Sequence, residues 1–176
     1  MNIFLTDKDP KIAASHLDDL RLNKMILETA QLLSGAYPSL FKDNWSQDNY
    51  GKLYKKTHIN HPCAIWARKS IDNFRWLTQY FYELSNEKYK RTNKKHASFE
   101  KLFPLFEISC VHLPTDFSNV IFDFNCTDYK SIEVTLAYRK QLCDKWNKDK
   151  RQPTWINTTP PEFYFSGWVD KKVMSL

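Results

Sequence analysis

The chain has 176 residues, 42% of them hydrophobic, which is enough for a core that needs no disulfides. Only 3 glycines are present, so the composition leans towards helix and excludes a Walker or Rossmann phosphate loop. Lys and Arg number 26 against 20 Asp and Glu, and the resulting charge of +6 favours a polyanionic partner, while no apolar run approaches the 18 or so residues of a membrane span.

Residues 1–5 are apolar and read as a first strand or an extended lead-in. Asp9 and Pro10 then form a helix start, a capping carboxylate followed by proline in the first turn. The periodicity predicts a first helix over about 10–34, ended by Gly35 and Pro38, and a loop through residues 42–52. A second helix is expected from about Asn60-His61-Pro62 to Leu84, carrying Trp66, Phe74, Trp76, Leu77 and Phe81 as the central core. Residues 86–95 are charged and read as a loop, and 98–106 suit a short helix. Residues 108–127, broken by Pro114, read as an irregular wrapping segment, and 131–148 as a final long helix. The Pro- and aromatic-rich end reads as an extended tail laid over the body. The expected architecture is mainly α, a compact helical single domain over 1–176. Cys63, Cys110, Cys126 and Cys143 form no C-x-x-C pair and read as reduced, buried thiols in a cytosolic protein.

Within the first helix, Arg21, Lys24, Glu28 and Gln31 fall within roughly 80° of one another at about 100° per residue. Leu22, Met25, Ile26, Thr29, Ala30, Leu32 and Leu33 flank this strip on one side, Leu20 and Leu27 on the other. A helix apolar on both sides of a polar strip is packed on both sides, so the strip is expected to face a cleft. The competing reading is a surface helix with a Lys24–Glu28 pair. Glu28 is the only carboxylate on the strip and stands as candidate acid, base or electrostatic stabiliser, with Arg21 and Lys24 to hold phosphate. An internal ion-pair network explains the same trio equally well.

Thr57-His58-Ile59-Asn60-His61-Pro62-Cys63 supplies a second cluster, suited to binding phosphate or orienting a base through Thr57, His58, Asn60 and His61, with helix capping and core packing by the same residues an equal alternative. A metal reading is set aside, because no fourth ligand stands at a usual zinc spacing; no metal or cofactor is expected. Tyr138, Arg139, Lys145, Trp146, Arg151 and Trp155 interleave cations with aromatic rings, a pattern that fits backbone neutralisation and base stacking. No nucleophilic triad is supported, since G-x-S-x-G is missing.

Asn2-Ile-Phe-Leu-Thr-Asp7, the run from His16 to Leu33, and Thr57 to Arg68 together resemble a family of small tailed-phage proteins related to pyrimidine-dimer DNA glycosylases, compact helical enzymes that cleave an N-glycosidic bond. His16-Leu17, Arg21 and Pro153-Thr154-Trp155 are similar to elements of those glycosylases. Two departures stand out. The glycosylase attacks with the amine of an N-terminal Thr, whereas Met1 precedes Asn2 here; and its catalytic Glu directly follows the Arg, where this chain has Leu22. The resemblance implies a phage protein in the cytoplasm of the infected bacterial host that hydrolyses an N-glycosidic bond in a nucleotide. A cyclic dinucleotide immune signal of the CBASS type is the first substrate it suggests, and damaged DNA the alternative; a non-catalytic nucleotide-sequestering protein is the third reading. Glu28 would be catalytic, with Asn2, Arg21, Lys24, Gln31, Thr57, His58, His61, Arg139 and Lys145 binding substrate. A dimer is compatible with the sequence, as is a monomer.

Overall fold

The computed structural model describes residues 2–41, 51–108 and 116–167. Among the described residues six α-helices stand in chain order: α1 (Pro10–Ser15), α2 (Asp19–Leu40), α3 (Pro62–Ala67), α4 (Ile71–Thr92), α5 (Ala97–Ile108) and α6 (Val134–Lys148), followed by a 3-10 turn at Glu162–Phe165. The architecture is mainly α and compact, with no strand among the described residues. Residues 2–5 are an extended lead-in rather than a strand, and they bury Ile3, Phe4 and Leu5 in the core. None of the described helices is long and apolar enough to cross a membrane.

The predicted first helix is two helices. The Asp9 carboxylate caps α1 by accepting from the Lys11 and Ile12 N–H groups, and Asp18 caps α2 by accepting from the Arg21 N–H. Between them Leu17 is fully buried. The carbonyls freed by the break are taken by a side chain distant in sequence: Arg91 donates to Ser15 O at 3.1 Å and to Leu17 O at 2.8 Å. At its far end α2 runs past Gly35 and Pro38 to Leu40. Burial of Tyr37 against Phe41, Phe74 and Phe106 outweighs the local breaking tendency there.

The predicted second helix is also divided, into α3 and α4, where Ser70 caps α4 through the Asn73 N–H. In turn α4 extends through the charged stretch read as a loop, because Glu87 and Arg91 face inward as a pair at 3.0 Å rather than outward to solvent. It ends at Asn93 in the left-handed region, φ 54°. This helix is the hub of the fold, packing on α1, α2, α3 and α5. Residues 116–127 wrap irregularly as expected, and the irregular stretch runs on to residue 133, so that α6 begins three residues after the expected start. Trp66 donates from its indole to Ile121 O at 2.8 Å, and its ring stacks on Phe122. The tail from Asp149 is extended and latched at the start of α2, where Thr154 O accepts from the Asp19 N–H at 2.9 Å and Thr154 Oγ1 donates to Asp19 at 2.7 Å.

Candidate active-site cleft beside the second helix

A cleft of about 360 Å³ is lined by Asn2, Phe4, Leu20, Arg21, Lys24, Met25, Glu28 and Lys145. The polar strip of α2 therefore does face a cleft, but only one of its flanks is packed. Leu22, Met25 and Ile26 are buried, whereas Leu20 is 71% exposed and Leu27 39% exposed. The expectation of two packed flanks is corrected accordingly, because the N-terminal segment, which covers Glu28, leaves the Leu20–Leu27 edge to solvent.

Glu28 is the best-held carboxylate of the cleft. Its side chain is 13% exposed, it accepts from the Asn2 backbone N–H at 2.8 Å through Oε2, and Oε1 lies 3.5 Å from Lys24 Nζ. Lys24 itself is largely in solvent, and Lys145 approaches from α6 on the opposite wall.

Arg21 lines the same cleft but its guanidinium is tied on two sides. One nitrogen pairs with Asp18 at 3.1 Å and the other with Asp149 at 2.8 Å. Asp18 is buried and also accepts from the Trp146 indole N–H at 2.8 Å. Arg21 thus joins the start of α2 to the end of α6, the internal-network reading of the sequence.

The remaining candidates divide. His61 is half-buried, caps α3 by accepting from the Cys63 N–H at 3.2 Å, and feels the Glu28 charge. Burial lowers its proton affinity more than Glu28 raises it. Thr57 and His58 are exposed in the turn before α3, His58 with φ 50°, and neither lines the Glu28 cleft. Gln31, half-buried, is also outside its lining. Arg139 is in a different place. It donates to Thr6 O at 2.7 Å, pairs with Asp7 at 3.2 Å, and with His16 and Phe163 lines a separate cleft of about 650 Å³. The stacking role expected of Tyr138 and Trp146 is corrected: both are buried, Tyr138 against Phe124 and Trp146 against Trp155, Phe163 and Tyr164.

Sequence reasoning missed Cys126. The wrapping segment brings its sulfur to 3.7 Å from that of Cys63, and with His61 these form the one cluster of three ligand-type side chains able to hold a metal ion among the described residues. The hydrogen bond from the Cys63 thiol draws Cys126 down to about 6, and the same bond with burial pushes Cys63 up. Cys63, Cys126 and Cys143 are free thiols; Cys63 and Cys143 are buried as expected, Cys126 is only half-buried, and Cys110 lies outside the described residues. A second missed feature is a cleft of about 470 Å³ formed by Asp18, Leu20, Asp149, Lys150, Arg151, Gln152, Pro153 and Thr154. It shares Leu20 with the Glu28 cleft, so the two adjoin.

The structure thus places a sheltered carboxylate, Glu28, in a cleft lined also by Lys24 and Lys145 on a helical body. The chain matches the pyrimidine dimer DNA glycosylase family over residues 1–101, more than half its length, and it belongs to that family. The matched part holds Asn2, Arg21, Lys24, Glu28, His61 and Cys63, whereas Cys126 and Lys145 lie beyond it. No curated protein and no solved structure gives a match.

Proposed function

We propose that the protein hydrolyses an N-glycosidic bond in damaged DNA, with Glu28 as the carboxylate that serves the reaction. The observation that carries this reading is the setting of Glu28: sheltered, held by the Asn2 N–H, and placed in a cleft with Lys24 and Lys145. Glycosidic cleavage passes through an oxocarbenium-like sugar, which an ionised carboxylate stabilises. Glu28 takes a proton from water as the water oxygen bonds to the sugar C1′. The C–N bond breaks with its electron pair going to the base, which is protonated from solvent. Lys24, Lys145 and the adjoining Lys150 and Arg151 neutralise the phosphates on either side.

The position of Glu28 also reconciles one departure from the glycosylase pattern. In sequence it stands two turns beyond the place of the family's Glu, yet in space its carboxylate meets the nitrogen of residue 2. With Met1 attached that nitrogen is an amide and no nucleophile, so water is the attacking group.

The test compares an ultraviolet-irradiated duplex, an undamaged duplex and a cyclic dinucleotide as substrates for the wild type and Glu28→Gln. Alkali-labile sites are expected in the irradiated duplex alone, without a borohydride-trapped covalent complex. Glu28→Gln is expected to slow the reaction by about 10²–10⁴-fold while duplex binding persists. An irradiated duplex left intact overturns the reading. Release of base from the cyclic dinucleotide instead supports the substrate suggested by the sequence resemblance, and tight binding of it without turnover supports sequestration.

A further inference from the structure

His61 and Cys63 belong to the start of α3, and Cys126 reaches them from the wrapping segment, which is tied to α6 and to α3. Its backbone N–H donates to Tyr138 Oη at 3.1 Å, and five residues earlier Ile121 O is held by Trp66. The ligand atoms of the three side chains lie within 4.8 Å of one another, and the two sulfurs are 3.7 Å apart. A disulfide needs its sulfurs at about 2.05 Å. A tetrahedral zinc ion with bonds of about 2.3 Å to two thiolates holds those sulfurs about 3.8 Å apart, the edge of its coordination tetrahedron. The separation found, now spanned by a thiol hydrogen bond, is close to that edge, so a zinc ion needs little movement of the two sulfurs.

We propose that His61, Cys63 and Cys126 bind a zinc ion through three protein ligands, with the fourth position directed at Asn2 and available to water. Asn2 Oδ1 lies 3.9 Å from Cys63 Sγ, accepting from its thiol, and the backbone N–H of the same residue reaches Glu28. The site therefore adjoins the Glu28 cleft through one residue. Two thiolates and an imidazole select zinc over magnesium or calcium, which prefer oxygen. Coordination through either ring nitrogen of His61 gives up its 3.2 Å hydrogen bond from the Cys63 N–H. Bonding at Nδ1 uses that lone pair, and bonding at Nε2 leaves the ring proton on Nδ1. The loss is small beside two zinc–thiolate bonds, and the thiol protons pass to solvent on binding. The site does not depend on the glycosidic reading, since it is defined by ligand geometry alone.

The experiment is a titration of the full-length protein, stripped of metal and kept under thiol reductant, with Co²⁺ and then Zn²⁺. The expected result is one Co²⁺ per chain, with strong thiolate-to-cobalt absorption and the visible bands of tetrahedral cobalt, both abolished by Zn²⁺. Cys126→Ser and His61→Ala, each checked for wild-type helical signal, are expected to lose the tetrahedral spectrum. Absence of thiolate-to-cobalt absorption in the folded wild type overturns the proposal. So does an unchanged spectrum in both variants, or a Cys63–Cys126 disulfide that forms under reductant and leaves no metal bound.

Discussion

Replacing Arg21 by alanine separates a structural cation from a ligand-binding one. The guanidinium bridges Asp18 and Asp149 at 3.1 and 2.8 Å, and Asp18 is 1% exposed. Without it the Asp18 carboxylate keeps the Trp146 indole and its capping bond to the α2 backbone, but it loses its countercharge. Removing one partner of a buried ion pair costs about 3–5 kcal/mol. At about 2–4 °C per kcal/mol for a chain of this size, the melting temperature is expected to fall by about 6–20 °C. Arg21→Lys restores only part of this, because an ammonium cannot span two carboxylates as a planar fork does. Lys24→Ala is the matched control. Its side chain is 68% exposed, so its pair with Glu28 contributes at most about 1 kcal/mol to stability, while its loss is expected to weaken DNA binding and reduce the salt slope by about 1. Thermal unfolding followed by circular dichroism, and duplex binding measured across salt concentrations, read the two effects separately. A melting temperature for Arg21→Ala within about 2 °C of the wild type, together with a large loss of duplex affinity, would refute the reasoning and return Arg21 to the phosphate-binding set.

Two further substitutions probe the frame that holds the site. His16, packed edge-on against Phe163 and bonded to Thr6 Oγ1 at 3.0 Å, is held down to about 4 by burial first and by Arg139 second. As the pH falls below the unfolded value of 6.5, the unfolded chain takes up a proton that the folded chain refuses, so stability is full above that value and declines towards pH 4. Allowing for its partial exposure, the loss attributable to His16 is about 1–2 kcal/mol; His16→Gln is expected to flatten the melting temperature between these pH values, and an unchanged profile would count against this account. Arg91→Met removes the donor to Ser15 O, Leu17 O, Asp19 and Glu87. A loss of about 3–5 kcal/mol is expected, with faster amide exchange at the α1–α2 junction; protection unchanged there would show that the break does not rely on Arg91.

The helical elements were legible wherever local pattern and packing agree. The Trp66, Phe74 and Trp76 set is core, α5 and α6 fall near their expected places, and the strip of α2 meets a cleft. Legibility failed at the helix boundaries. Beside Leu17 the one local sign of a break is Asp18, a capping residue type set within an unbroken apolar period, and the group that satisfies the Leu17 carbonyl is Arg91, on another helix. Likewise the charges at 86–92 resemble a solvated loop until Glu87 and Arg91 are seen to face inward. In the site, Glu28 and Lys24 could be read from helical spacing, and Lys145 from the basic and aromatic run. That Arg139 serves another cleft could not be read from it.

The amino-acid sequence by itself determined the fold class, the amphipathic face of α2 and the place of Glu28 on its polar strip, since these follow from spacing along single helices. Family membership rests on the match over residues 1–101. Only the tertiary structure decided which cations are already paired, which flank of the strip is open, and that Cys126 meets His61 and Cys63. Those outcomes depend on groups more than 60 residues apart in several cases, such as Cys63 with Cys126 and Arg91 with Asp19. Pairing at that distance is set by how helices and the wrapping segment pack, a property that no periodicity within one segment encodes.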